Sequence, residues 1–360
     1  MTRRHVAGLP LLVALLGVAA LAIVVLAFAI DMRELAATFL VAYVAMVSVA
    51  LGTLALVLIA HLTTATWFRP FLPRAYLVLR SLPFLAAIGA IQLIVLPTLY
   101  PWVGVGARAH AYLNAPFFVV RWVVYWAAWI TISRSVLAAQ RLQDAGETAR
   151  AAHHFRRTAS AGLVVLGLTM TFAAFDWMMS LTPDWASTIY GVYWFAGGML
   201  SALALLAMLA HRSDARWPAV SSDDVHSLGK LLTTFVLFWL YIGFAQYIVI
   251  WSGDLPSEIT WYVARTHGGW GALAGVLLAG NFVFPFLLLL LRAVKRSATL
   301  LAMIGAMMLG LHYLDTFWVV MPGLVPVRWW TAIVSASVLA LLCIAALMTL
   351  GPPREWERAR

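Results

Sequence analysis

Long apolar runs separated by short polar breaks dominate the pattern of this chain. A helix rises about 1.5 Å per residue, so some 20 apolar residues cross a hydrocarbon core of about 30 Å. Runs of that kind fall near 9–30, 35–60, 77–97, 116–139, 158–181, 187–210, 228–251, 268–291, 298–320 and 329–349. Each is uninterrupted enough to satisfy its own backbone hydrogen bonds, as lipid demands. The pattern therefore predicts an all-α integral membrane protein with ten transmembrane helices. The third run is the weakest, because Pro83 and Pro97 bracket it. The first follows the basic Met1–Arg4 but is longer than a signal-peptide core of about 7–15 residues, and no small-residue cleavage pattern follows it. A retained first span is the expectation.

Composition narrows the class further. Of 360 residues, 64% are hydrophobic and 11% charged, whereas a soluble domain carries about 25% charged residues. The longest polar stretches, 140–157 and 211–230, are too short for a soluble domain. The net charge of +10 raises the question of nucleic acid, but the charges follow topology instead of forming a patch. With ten spans, the N-terminus, the loops at 61–76, 140–157, 211–230 and 292–297, and the C-terminus share one side. Of the 24 Lys and Arg residues, only Arg33, Arg108, Arg121, Arg265 and Arg328 fall on the other. The positive-inside rule then places both termini in the cytoplasm. The excess charge orients the chain and meets anionic lipid, so no nucleic-acid partner is expected. Cys343 is the single cysteine. That rules out a disulfide within the chain, covalent c-type haem and a cysteine-ligated iron–sulfur cluster.

A faint internal repeat is present. Leu58-Ile59-Ala60-His61 closes the second span, and Met208-Leu209-Ala210-His211 closes the sixth. Three helices later in each case comes an intramembrane acid: Asp176 in FAAFDWMMSL (172–181) and Asp315 in LHYLDTFWVV (311–320). This predicts two four-helix bundles, 35–181 and 187–320, related by an axis along the membrane normal, with the first and last spans peripheral.

A charge inside hydrocarbon costs about 3 kcal/mol on insertion scales, so both acids are candidates for proton transfer. Asp176 shares a helical stripe with Ser180 and Thr169. The competing account makes it an interfacial acid that caps the outer loop with Asp184. Asp315 has His312 three residues before it, on the same face. A carboxylate that holds an imidazole makes a competent acid or base near neutral pH, though such a pair also serves as glue between helices. Arg121, a turn inside the fourth span, either neutralises Asp176 or snorkels to the surface. Arg265 and His267 open the eighth span and are placed to line a cavity mouth. Asn281 and Gln246 read as interhelical hydrogen-bonding groups. A b-type haem needs facing histidines at one depth, and His61, His211 and His312 do not supply them. No metal site is expected.

Several of these segments resemble a known family. Phe175–Phe195 (FDWMMSLTPDWASTIYGVYWF), Phe238–Trp251 (FWLYIGFAQYIVIW), Ser252–Tyr262 (SGDLPSEITWY) and His312–Pro322 (HYLDTFWVVMP) are similar, in order and spacing, to the ActF-type membrane subunit of bacterial alternative complex III. That complex is a quinol:cytochrome c (or quinol:oxidase) oxidoreductase, and the subunit belongs to the broader NrfD/polysulfide-reductase membrane anchors. The resemblance covers nearly the whole chain. It implies two four-helix bundles in a bacterial inner membrane, and a sister anchor, an iron–sulfur subunit and c-type haem subunits as partners. It also implies quinol (menaquinol or ubiquinol) oxidised near the outer face, with Asp176, His312 and Asp315 handling protons. Arg121 and His267 are candidates for the quinol pocket. A proton-coupled secondary transporter and a ligand-free structural anchor stay open as alternatives.

Overall fold

The computed structural model describes residues 31–103, 111–211 and 217–324, with 328, 330, 331, 333, 334, 337 and 338 beyond them. The expected first span, most of the expected last span, Arg108 and Cys343 lie outside the described residues. Among the described residues there is no strand, and eight helices are long and apolar enough to cross a membrane. The chain is thus an all-helical, multi-pass membrane protein, and these helices correspond to the second to ninth expected spans.

The elements used below are α1 (Met32–Leu62), α2 (Leu72–Leu79), α3 (Leu82–Gly89), α4 (Ala115–Asp144), α5 (Thr148–Trp177), α6 (Tyr190–His211), α7 (Ser222–Gly253), α8 (Pro256–Thr266), α9 (Gly269–Leu278), α10 (Phe284–Leu290) and α11 (Ala298–Val320). Local chemistry explains many of their ends. The Asp31 and Asn114 side chains accept hydrogen bonds from the first turns of α1 and α4. Ser221 and Asp224 form a reciprocal capping box on α7. Pro73, Pro83 and Pro256 stand in first turns, where a missing N–H costs nothing.

Three expected loops or breaks fold differently. The third crossing begins at Thr66, eleven residues before the apolar run suggested, as a 3-10 turn followed by α2 and α3. Its prolines start new helical segments and leave the crossing intact but segmented. The polar stretch 140–157 is helical on both sides of a turn at 145–147, because two packed helices run on beyond lipid once their charged faces meet water. Likewise α8 occupies most of the acidic 252–262 segment.

The helices α1 and α6 form the centre. The apolar face of α1 is continuous all round, as befits a helix surrounded by protein, and Leu40, Val44, Leu51, Leu54 and Leu58 are fully buried. α6 packs on α1, α7 and α11, and α1 packs also on α5 and α11. Where α1 and α6 cross, Gly52 lies on the Gly198 carbonyl, and a Cβ on Gly198 would sit 2.6 Å from the Ser48 carbonyl oxygen. Small residues of this kind let membrane helices approach at backbone distance. Gly198→Leu is expected to destabilise the solubilised protein by at least the 1–3 kcal/mol typical of overpacking. A drop in thermal midpoint relative to wild type checks this.

Between α9 and α10 the eighth crossing contains a π-helical turn, Ala279–Val283, with buried Asn281 inside it. Pro285 follows, and its ring would clash with the carbonyl four residues back in a regular α-helix. The wider turn relieves that clash.

Candidate functional site

The two acids meet opposite surroundings. Asp176 ends α5 and is 1% exposed. Arg121 grips it as a fork, Nε to Oδ2 at 2.8 Å and Nη2 to Oδ1 at 2.9 Å. The Tyr125 hydroxyl donates to Oδ2 at 2.6 Å. The third guanidinium nitrogen donates to the Tyr112 carbonyl at 2.9 Å, and the guanidinium lies against the Tyr112 and Phe117 rings. Of the two fates open to Arg121, the fold selects neutralisation over snorkelling. Asp184 is exposed and takes no part. The polar stripe is spent locally: Ser180 donates to the Asp176 carbonyl, and Thr169 accepts from the Trp129 indole.

The space behind this pair is filled with rings. Trp177 is fully buried, with the rings of Tyr43, Trp126, Trp129 and Trp194 between 5.7 and 6.4 Å from it. A packed interior of this kind takes no ligand without rearrangement.

Around Asp315 the interior is hollow. A cavity of about 300 Å³ opens between α6, α7, α8, α9 and α11, at the lower end of the range of about 300–1,000 Å³ for small-molecule sites. Its walls are aromatic and aliphatic, with Tyr193, Trp239, Trp261, Tyr262, Leu277 and Trp318 prominent. Phe244, Tyr247 and Leu278 on the same wall are also exposed at the surface of the chain. The polar groups are few: Asp315, Gln246, Thr266 and tyrosine hydroxyls.

Asp315 is 4% exposed. Its Oδ1 accepts from the Tyr193 hydroxyl at 2.5 Å and its Oδ2 from the Trp239 indole at 3.2 Å. Among the described residues no cation pairs with it, in contrast to Asp176. A second buried charge beside the cavity is Arg265 on α8, itself 3% exposed. Arg265 stacks 3.5 Å over the Trp261 ring and donates to the Trp261 and Val319 carbonyls, while its Nε has no partner. Burial pushes this guanidinium down to about 9, so it remains a cation at neutral pH. It shares Trp261 and Val319 with the cavity wall, and Tyr190 is close enough to both Arg265 and Asp315 to feel each charge.

His312 does not hold a hydrogen bond with Asp315. Its Nε2 lies 2.7 Å from the Ser48 hydroxyl on α1, and the same hydroxyl is within donating distance of the Ala45 carbonyl. Either tautomer of His312 satisfies this contact, since the Ser48 hydroxyl accepts from Nε2–H or donates to a bare Nε2. Nδ1 faces Gly197, where a Cβ would lie 3.2 Å from Nδ1 and 3.8 Å from Asp315 Oδ2. A small void of about 10 Å³, lined by both His312 and Asp315, joins their surroundings.

The remaining candidates fall elsewhere. Arg121 lies in the filled half and lines no part of the cavity. His267 is exposed, with Nδ1 2.7 Å from the Val263 carbonyl, and its neighbour Thr266 reaches the cavity instead. Gln246 is buried in the cavity wall. Among the described residues no three His, Cys, Asp or Glu side chains gather as a metal site. Tyr193 and Trp239 were not foreseen as partners of Asp315. One signal for Trp239 lies in the sequence: Trp239, Gly243 and Gln246 follow i, i+4, i+7 spacing and share one helix face.

The chain matches no protein-family model and no curated protein sequence. Fold and site define a class only: a multi-pass helical membrane protein with one uncompensated carboxylate on the wall of an aromatic cavity.

Proposed function

We propose that this chain is a membrane subunit of a quinol-oxidising complex of the alternative complex III type, in which the cavity beside Asp315 receives the quinol ring. The observation that carries this reading is a cavity of about 300 Å³ with surface-exposed apolar residues in its wall and a carboxylate that no cation pairs with among the described residues. A quinol is an aromatic, membrane-borne donor that loses two protons and two electrons. Aromatic walls suit its ring, and the membrane-facing side admits a substrate dissolved in lipid. Asp315, held by Tyr193 and Trp239 in a fixed rotamer, is placed to take one hydroxyl proton as general base. His312, with Nδ1 facing the same small void, is the next acceptor inward. The electrons leave through partners, an iron–sulfur subunit and c-type haem subunits, with a sister anchor alongside. Two four-helix bundles, ten spans, cytoplasmic termini and a bacterial inner membrane belong to the same reading. The pairwise contacts support the bundle part: α1 with α5 repeats as α6 with α11, and α5 with α6 repeats as α11 with α1.

Leu277→Trp tests the reading by filling the cavity without touching Asp315. The complex purified with this subunit should keep its haem spectrum yet lose most quinol-dependent cytochrome reduction, with KM for quinol raised tenfold or more, since one displaced ring contact is worth about 1–3 kcal/mol. Unchanged KM and turnover would remove quinol from this cavity. A wild-type chain that purifies alone and colourless from its native membrane would remove the complex.

A further inference from the structure

A second cavity, of about 750 Å³, lies at the other end of the molecule between α4 and α5. Its lining is graded along the helices. Arg150, His153, His154 and Arg157 come first, then Ser135 and Thr158, then Ile132, Ala161, Gly162 and Val165. The arginines and His153 are exposed, and the Ser135 hydroxyl bridges His154 Nε2 at 2.9 Å and Thr158 Oγ1 at 2.7 Å. Gly162 lets α5 pack closely on α4 and α1 at the floor, because a Cβ there would come 3.1 Å from Ile132 Cγ2 and 3.4 Å from Leu58 Cδ1.

Depth gives this order its meaning. Arg157 precedes the outer end of α5 at Trp177 by about 30 Å of helix, one hydrocarbon thickness. The four cationic or imidazole side chains therefore stand at the headgroup level, the two hydroxyls just inside it, and the apolar floor within the acyl region. We infer that this groove is a binding site for one anionic phospholipid. Its phosphate would sit among Arg150, His153, His154 and Arg157, its glycerol esters beside Ser135 and Thr158, and an acyl chain along Ala161, Gly162 and Val165. Basic pockets between membrane helices bind anionic headgroups in this way. Among the described residues the contacts that compete are the Ser135 bridge to His154 and Thr158 and the exposed Arg150–Glu147 pair at 2.8 Å, which is of the kind that contributes little. A free anion would use the basic end and leave the apolar floor without a function, and an acidic peptide would not enter the acyl layer. The lipid accounts for the basic end, the two hydroxyls and the apolar floor together, with Leu142 and Thr131 completing the lining.

The test uses the full-length chain, within its complex if it has one, delipidated in detergent and read by native mass spectrometry after addition of phosphatidylglycerol, phosphatidylcholine or inorganic phosphate. Wild type should retain one phosphatidylglycerol in preference to phosphatidylcholine. The double variant R150Q/R157Q should retain it about thirtyfold less well, at roughly 1 kcal/mol per surface cation. Ala161→Trp, which leaves every charge in place, should also displace it. Equal thermal midpoints in phosphatidylcholine would certify that the variants are folded. Equal phosphatidylglycerol retention by wild type and R150Q/R157Q would overturn the inference. So would stabilisation by inorganic phosphate equal to that by phosphatidylglycerol, or shielding of Arg157 from guanidine-directed labelling by another subunit with no lipid present.

Discussion

Asp315→Asn is expected to lower quinol turnover by about 10²–10⁴, the range that a positioned general base contributes, while the subunit still folds and assembles. The amide oxygen can take the Trp239 indole N–H while the amide nitrogen donates to the Tyr193 hydroxyl oxygen, reversing the roles at Tyr193, so the local packing loses little. What disappears is the capacity to take up a proton. Two controls separate this from a structural effect. Asp315→Glu restores a titratable group on a longer stem and should recover part of the rate. Trp239→Phe keeps the carboxylate but frees its Oδ2, and should change the pH profile of turnover more than its maximum. Haem and iron–sulfur content of the purified complex, measured beside the rate, reports assembly. Undiminished turnover in Asp315→Asn would end the proposal that this acid takes the proton.

The second large effect is one of stability. Arg121→Gln should cost about 3–5 kcal/mol, the usual penalty for removing one partner of a buried ion pair. It leaves Asp176, 1% exposed, with the Tyr125 hydroxyl as the remaining native side-chain donor among the described residues. The double variant R121Q/D176N, with a neutral amide at each position, should be markedly more stable than Arg121→Gln alone, because no buried charge is left without a partner. Thermal unfolding in detergent measures both. Per folded complex, R121Q/D176N should turn quinol over at close to the wild-type rate, since Asp176 is enclosed by Arg121, Tyr125 and the Trp177 ring cluster and is spent on that pair. A rate loss as deep as that of Asp315→Asn would return Asp176 to proton transfer and reject its role as a strut.

Much of the fold was legible because lipid imposes a simple rule. Eight apolar runs of the right length became eight helices; the segmented third crossing starts eleven residues before its apolar run, and the fifth helix starts ten before its own, at Thr148. Polar stretches were harder to read. The segment 140–157 carries no apolar run, yet α4 and α5 continue through most of it on mutual packing. Asp176 and Asp315 both stood out, because a carboxylate in an apolar run is conspicuous. Their difference did not. It depends on Arg121, 55 residues from Asp176, and on whether tryptophans from several helices converge on one point. Such convergence is a property of tertiary packing. The similar spacing of the two acids pointed to equivalent roles, whereas the fold makes one a charge-neutral pair and leaves the other alone. His312 misled for a related reason: three residues from Asp315 puts it on the right face, but Ser48 on another helix captures the ring.

The depth of Asp315 has an electrical consequence. It lies five residues from the end of α11, about 7.5 Å along the axis and a quarter of the hydrocarbon thickness. Moving one charge across the whole membrane potential is worth about 2.3 kcal/mol per 100 mV. A proton passing between Asp315 and the nearer surface would therefore cross only a fraction of that field, about 0.6 kcal/mol per 100 mV, less than threefold in rate. The Arg121–Asp176 pair, neutral as a unit, does no work against the field when it shifts as a body. Proton release at this site would stay fast in an energised membrane, where the same carboxylate at the midplane would carry twice the electrical load.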